Sequence, residues 1–146
     1  MTEHSGAELL ALPVRLHGIQ LAKPVDLLLD RDGLRTVGFD LQCGDGERRF
    51  LALPTAAIDD KQIAVLSSLV ILEEEELDFY RSRTVTLNTL RDGPVQYKGK
   101  DVGRLVDVVV GPAGELRALL VEQHGRTIRM PYDNRLTVAP RRRTVA

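Results

Sequence analysis

The sequence predicts a mainly β protein made of two small β-barrels in tandem, joined by a short helical linker. Three observations predict this fold: one strand pattern occurs twice, short apolar strands alternate with glycine turns, and an acidic segment free of glycine and proline separates the copies. The predicted modules cover residues 14–66 and 85–139, the linker covers residues 67–84, and residues 1–13 and 140–146 are tails. The length of 146 residues suits one ordinary domain or two very small ones.

The repeat is clearest in two apolar strands. Residues 25–29 read Val-Asp-Leu-Leu-Leu and residues 106–110 read Val-Asp-Val-Val-Val, and a turn containing glycine follows each of them. We name the offset in sequence from Val25 to Val106 the repeat spacing. Each copy continues through a second strand, a glycine turn and a third strand to an apolar residue and a proline, Leu53-Pro54 in the first copy and Met130-Pro131 in the second. Because the offset between these prolines is shorter than the repeat spacing, we expect a tighter hairpin in the second copy.

The local patterns are those of half-buried strands. Residues 37–43 alternate apolar side chains with polar or small ones, and Ile128 and Met130 fall on one face of a later strand. Short strands broken by glycine turns favour a small closed or half-closed barrel, which also hides its edges. Since each module has about 60 residues, a size at which an isolated core is marginal, we expect two small cores that lean on each other, on the linker or on a second chain.

The segment between the copies has the composition of a helix. Residues 73–81 contain no glycine, proline or β-branched residue, and they begin with glutamates and end with an arginine, which matches the helix dipole. We expect Leu72, Leu77 and Tyr80 to form its packed stripe. A second short helix is expected over residues 7–12.

The second copy also has a longer pattern that includes its glycine-bounded entry strand. It consists of Gly-Lys-Asp-Val-Gly-Arg-Leu-Val-Asp-Val-Val-Val at 99–110, a glycine turn, Leu-Arg-Ala-Leu-Leu-Val at 116–121 and Ile-Arg-Met-Pro at 128–131. This pattern resembles a PRC-barrel domain, a family named after the H subunit of the photosynthetic reaction centre. The family also includes the C-terminal domain of the ribosome maturation factor. The first copy is more divergent, with Leu-Ala-Lys-Pro-Val at 21–25 in place of the Gly-x-x-Val-Gly entry.

The resemblance implies a scaffold with no shared catalytic residues. PRC-barrel domains mediate protein or ribonucleoprotein association, so we expect a non-enzymatic binding or adaptor protein with a protein partner or a second copy of itself. The alternative is an RNA-processing or ribosome-assembly factor similar to the C-terminal domain of the maturation factor. The sequence shows neither that factor's N-terminal domain nor the membrane helix of the reaction-centre subunit, so neither role is expected to transfer intact.

Nine side chains are candidates for contacts with a partner: Tyr97, Tyr132, Glu73, Glu74, Glu75, Glu76, Arg141, Arg142 and Arg143. The acidic run is either a solvated helix face or a docking surface for a basic partner. The three arginines are either a frayed tail or a group that contacts phosphate, an acidic partner or the acidic run of a neighbouring copy. The two tyrosines either help to close the barrel or line an exposed groove, where aromatic residues are favoured.

The sequence indicates no catalytic, cofactor-binding or metal-binding residues. Residues 30–33 read Asp-Arg-Asp-Gly but lack the further acidic ligands of a calcium loop, which indicates a hairpin turn. Cys43 lies on the apolar face of its strand and is expected to be a buried small side chain rather than a nucleophile. His17 and His124 precede glycines and read as turn residues, and the histidines have no ligand spacing. A hydrolase with residues distant in sequence stays open as a further alternative.

Composition limits the classes of partner. The net charge is -1, so nucleic-acid binding would require a local basic patch. A single cysteine excludes an intramolecular disulfide. The sequence has no apolar run near the roughly 20 residues of a membrane span and no recognisable signal segment, from which we expect a cytoplasmic protein.

Overall fold

The computed structural model describes residues 3–141 and confirms the prediction of a mainly β protein. In chain order the strands are β1 (His4–Ser5), β2 (Val14–Leu16), β3 (Ile19–Asp30), β4 (Thr36–Cys43), β5 (Arg48–Ala52), β6 (Ala57–Ile58), β7 (Ile63–Val65), β8 (Ile71–Leu72), β9 (Thr84–Thr86), β10 (Pro94–Tyr97), β11 (Lys100–Val110), β12 (Leu116–Gln123), β13 (Arg126–Pro131) and β14 (Leu136–Val138). The α-helices are α1 (Gly6–Leu10), α2 (Glu74–Arg81) and α3 (Leu87–Leu90).

These strands form two sheets. The order in the first sheet is β6-β7-β2-β3-β4-β5-β8, and β9 also pairs with β3. The order in the second sheet is β13-β12-β11-β10-β14, and β1 also pairs with β11. Among residues 3–141 neither path returns to its first strand, so the sheets are open and do not form the closed barrels that the sequence predicts.

A core shared by the two halves explains why the sheets do not need to close on themselves. One cluster of buried apolar side chains joins Leu27 and Phe39 of the first sheet to Val108 and Leu119 of the second. The sequence predicts two separate small cores, whereas the main core in the described residues is shared by the two halves, and a smaller cluster lies under α2. Because a half of about 60 residues buries too little apolar surface alone, the two open sheets exclude water by covering each other.

The two halves exchange their first strands. β1 of the first half pairs with β11 of the second, with Ser5 opposite Val109. β9 pairs in the same way with β3, with Thr86 opposite Leu28. Ser5 and Thr86 are separated by the repeat spacing, as are Leu28 and Val109, and α1 and α3 follow the exchanged strands at the same interval. Each half therefore supplies a strand and a helix to the sheet of the other half.

The long strands carry matching irregularities. The β3–β4 register shifts between Pro24 and Asp26, and the β11–β12 register shifts between Leu105 and Asp107, which is one repeat spacing further along the chain. The second shift in each ladder follows the same spacing. A β-bulge is a specific local feature of backbone pairing. Because the bulges recur at matched sites, the strands β3–β4–β5 and β11–β12–β13 form equivalent units.

The two prolines that end the predicted repeat are not equivalent in the structure. Residues that lie opposite one another in three neighbouring strands form a row. The row Leu28–Gly38–Ala52 in the first sheet corresponds to the row Val109–Ala118–Pro131 in the second. Pro131 therefore corresponds to Ala52, and its alignment with Pro54 is wrong. The expected tighter hairpin is confirmed, because only His124 and Gly125 lie between β12 and β13.

Helix α2 covers the outer face of the first sheet. Leu77 is buried against Leu28 and Phe50, and Leu72 and Tyr80 pack beside it. The ring of Tyr80 stacks on Phe50 with 4.2 Å between ring centroids. Leu77 and Tyr80 of the predicted stripe lie on α2, whereas Leu72 belongs to β8 and packs on the same cluster from there. These contacts leave the glutamates of α2 towards solvent.

Candidate binding surfaces

Four consecutive glutamates form an exposed acidic surface at the start of α2. Glu73–Glu76 are all exposed, and together with Glu47 and Asp78 they line an open groove of about 470 Å³, which we name the acidic groove. Glu73 is the N-cap residue and the other three occupy the first turn, where the helix dipole stabilises negative charge. This concentration of carboxylates favours a cationic ligand.

A buried carboxylate fixes the helix that carries these glutamates. Asp40 on β4 is 6% exposed and lies 2.8 Å from the guanidinium of Arg81 at the end of α2 and 3.3 Å from that of Arg48. A bond to a buried charge holds its partner more firmly than a solvated surface pair does. Sequence reasoning missed Asp40, because it stands in a strand far from Arg81 along the chain and no local pattern marks it.

A second groove of about 640 Å³ adjoins the acidic groove and shares Glu73 and Glu76 with it. Its wall includes Arg49, which pairs with Asp45 at 2.8 Å and with Glu73 at 3.5 Å. The hydrogen bond from Arg49 is the main cause that lowers the pKa of Asp45 to about 2. On its rim Leu69 is 85% exposed, an apolar position that sequence reasoning did not single out.

The two candidate tyrosines are partly buried against the shared core. Tyr97 lies on β10 opposite Leu136, and the Nζ atom of Lys98 is 5.4 Å from the centroid of its ring. Tyr132 follows β13, and its backbone N–H donates to the carbonyl oxygen of Arg117 at 3.0 Å. Burial, and then the charge of Asp133, raises the pKa of Tyr132 above its ordinary value. Each ring thus contacts the core and keeps one accessible part.

The structure places one of the three candidate arginines. Arg141 is exposed, and its backbone N–H donates to the carbonyl oxygen of Thr89 at 3.3 Å. Arg142 and Arg143 lie outside the described residues. Within residues 3–141, Arg141 forms no ion pair with the glutamates of the acidic groove.

The cysteine, the two histidines before glycines and the Asp-Arg-Asp-Gly segment, none of which the sequence predicts to be catalytic or metal-binding, lie in the core or in turns as predicted. Cys43 is 9% exposed and belongs to the core cluster, and residues 31–35 form the turn and loop between β3 and β4. His17 and His124 occupy turns with positive φ. His4 was not singled out by the sequence: it is 4% exposed, and its Nε2 atom lies 3.1 Å from Asp60 Oδ1.

Charge is divided unequally between the two parts of the chain. Residues 1–84 contain nine Lys or Arg and fifteen Asp or Glu, which gives a net charge of -6. Residues 85–146 contain eleven Lys or Arg and six Asp or Glu, which gives a net charge of +5. The near-neutral total therefore conceals an acidic half and a basic half, each able to attract ligands of opposite sign.

Comparison of the sequence with models of known families and with curated proteins gave no match. None of the helices in the described part of the chain is long and apolar enough to cross a bilayer. Over the same residues, no group of three or more His, Cys, Asp or Glu side chains is arranged to hold a metal ion. The geometry of the surfaces is therefore the basis for the functional proposal.

Proposed function

We propose that the chain is a binding or adaptor protein with a PRC-barrel-type scaffold, and that its acidic groove docks a basic segment of a protein partner. The observation that carries the proposal is the acidic groove itself, in which Glu73–Glu76 project from a helix that Arg81 anchors to buried Asp40. A helix whose backbone is already fixed loses little backbone freedom when a ligand binds, which favours affinity.

The proposed scaffold rests on the repeated strand units β3–β4–β5 and β11–β12–β13, because the sheets do not close into the barrels that the resemblance implies. The bulge before Asp26 and the bulge before Asp107 are separated by the repeat spacing. The turns before β3 and β11 share that spacing, with His17-Gly18 and Lys98-Gly99 in positive φ. These features support a duplicated small β unit, which the repeat in the sequence predicts.

Self-association is the simplest source of a basic segment. The tail at residues 139–146 reads Ala-Pro-Arg-Arg-Arg-Thr-Val-Ala and belongs to the basic half. Exposed Arg141 begins this run in the structure. Docking of this tail in the acidic groove of a second copy would bring opposite charges together between molecules.

The test uses a variant in which Glu73, Glu74, Glu75 and Glu76 are all replaced by glutamine. The matched control replaces four exposed carboxylates elsewhere by amides: Asp32, Asp92, Asp101 and Glu122. Tagged protein is used for affinity capture from lysate, and a peptide with the sequence of residues 139–146 is titrated into each form while light scattering reports the oligomeric state.

We expect the wild type and the control to bind the peptide and capture the same partners. The glutamine variant should neither bind the peptide nor capture these partners. Peptide binding by the wild type should weaken with added salt because the groove is exposed. Equal binding by the glutamine variant, or a strict monomer that captures nothing, contradicts the proposal.

The alternative is a ribonucleoprotein role, favoured by the net charge of +5 on residues 85–146. A basic half can neutralise phosphates, and such binding falls steeply as salt rises. Sedimentation of tagged protein with ribosomal particles at low salt tests this alternative. Recovery of the protein in the free fraction alone excludes it.

A further inference from the structure

We propose that β13 accepts an extended acidic segment of a partner protein as an added antiparallel strand. This edge belongs to the second sheet and shares no residue with the acidic groove. The inference therefore goes beyond the proposed function, and each of the two can fail without the other. Its basis is the difference between β13 and β5, the strand that occupies the equivalent place in the first sheet.

The far edge of β5 is covered within the chain. β8 pairs with it on the side away from β4, with Leu72 opposite Phe50 and Ile71 opposite Leu51. Helix α2 then packs Leu77 onto Phe50. The backbone edge at Phe50 and Leu51 and the outer face at Phe50 are therefore covered.

The corresponding edge of β13 is open. In the matched registers of the two sheets, Arg129 corresponds to Phe50 and Met130 corresponds to Leu51. β13 pairs with β12 on one side, and within residues 3–141 no strand pairs with its other side. Four of its six residues are exposed, and Ile128 and Met130 are partly buried.

The turn before β13 determines which backbone groups face the open edge. His124 and Gly125 form a two-residue turn with φ values of 49° and 78°, as in a type I′ hairpin. Such a turn is flanked by a hydrogen-bonded pair, so the ladder to β12 uses Arg126 and every second residue after it. The N–H and C=O groups of Thr127 and Arg129 therefore point away from β12, which is the template that strand addition requires.

Charge selects an acidic strand over a second copy of β13. Arg126 and Arg129 are both exposed, and Arg126 forms no ion pair within the described range. When two β13 strands pair antiparallel with Arg129 near the centre, the two Arg129 side chains lie close together on one face, and like charges across strands are destabilising. Arg129 already lies 2.9 Å from the carboxylate of Glu3, so a carboxylate is compatible with this face.

Side-chain alternation defines the pattern of the occupant. Ile128 and Met130 pack against the shared core, whereas Thr127 and Arg129 lie on the outer face. A strand opposite β13 therefore needs apolar residues facing Ile128 and Met130, and an acidic residue facing Arg129. An alternating apolar and acidic segment of about five residues meets these requirements.

The experiment titrates the peptide Ser-Val-Glu-Val-Glu-Val-Ser, capped at both ends, into the isotope-labelled full chain. We expect the amide signals of Thr127 and Arg129 to shift and their hydrogen exchange to slow. The matched peptide with lysine in place of glutamate should bind at least about 10-fold more weakly.

Two variants locate the interface. Thr127→Pro removes an N–H that faces the open edge and leaves the bonds to β12 in place, a position at which an edge strand tolerates proline. If that variant does not fold, Arg129→Glu tests the interface instead. Because the charge at this position is reversed, this variant should bind the lysine peptide better than the glutamate peptide. Arg135→Glu, in the same half but away from β13, should bind as the wild type does. Equal binding of the two peptides, signal changes that spare β13, or a dimer already paired through β13 overturns the proposal.

Discussion

Asp26 and Asp107 occupy equivalent positions in the two halves, and each carboxylate binds the first turn of a helix from the opposite half. Asp26 accepts a hydrogen bond from the backbone N–H of Asn88 in α3 at 3.1 Å, and Asp107 accepts one from Ala7 in α1 at 2.9 Å. Each carboxylate also accepts the N–H of the residue that follows it in its own strand. The pair therefore ties the exchanged helices to the bulges of the two sheets.

Asp107→Ala is expected to lower the free energy of unfolding by about 2–3 kcal/mol. Asp107 is 5% exposed, and its removal leaves the N–H groups of Ala7 and Val108 without their acceptor. Denaturant unfolding measures the change. The control Asp101→Ala, at an exposed site, should change stability by no more than about 0.5 kcal/mol, and a similar loss in both variants contradicts the expectation.

Asp26 gives the stability a pH dependence of definite sign. Burial raises the pKa of Asp26 above its ordinary value of 3.8, and hydrogen bonds from Asn88, Thr86 and Leu27 offset this in part. The folded chain therefore keeps the proton to higher pH than the unfolded chain does. The contribution of Asp26 to stability falls as pH rises from its ordinary pKa through the raised one.

Asp26→Asn removes that titration and keeps an oxygen acceptor. We expect the stability of the wild type relative to this variant to decrease as pH rises through the acidic range. Unfolding curves at a series of pH values measure the difference. A difference that is constant with pH, or that grows as pH rises, contradicts the raised pKa.

Arg81→Ala is expected to cost about 1–3 kcal/mol, less than a fully buried ion pair because Arg81 is 36% exposed. The change leaves buried Asp40 with Arg48 alone. Hydrogen exchange of the α2 amides should rise more than exchange in β11, since the anchor acts on the helix. Lys61→Ala serves as an exposed control, and unchanged exchange in α2 would show that Asp40 does not fix it.

Gly38→Ala is expected to destabilise the chain by about 1–3 kcal/mol through overpacking. A Cβ atom at Gly38 would collide with the carbonyl oxygen of Leu51 and with the ring of Phe50. Gly44→Ala is the matched control, because a Cβ atom there meets no atom within 4 Å. Thermal unfolding compares the two, and equal midpoints contradict the close approach of β4 and β5.

Features with a local cause were predictable from the sequence. The alternation in residues 37–43 placed Cys43 in the core, and the acidic start of residues 73–81 predicted α2. The repeated Val-Asp pattern located the equivalent strands β3 and β11. Each of these depends on periodicity or dipole effects within a few residues, which a single sequence displays.

Contacts between distant segments were not predictable. No local pattern shows that Asp40 binds Arg81, that β1 pairs with β11, or that the equivalent of Ala52 is Pro131. The proline alignment failed because register is fixed by turn length and by facing side chains across the ladder, not by matching letters. The open edge of β13 became visible only through its comparison with the covered edge of β5.

The sequence by itself determined the β class of this protein, its internal duplication, its turns and the acidic helix, because each follows from local propensity and side-chain alternation. Tertiary structure decided that the sheets stay open and share one core, that the halves exchange a strand and a helix, and which edge lacks a partner. The physical reason is that a unit of about 60 residues cannot bury enough apolar surface alone, so its final shape depends on the surface of its counterpart.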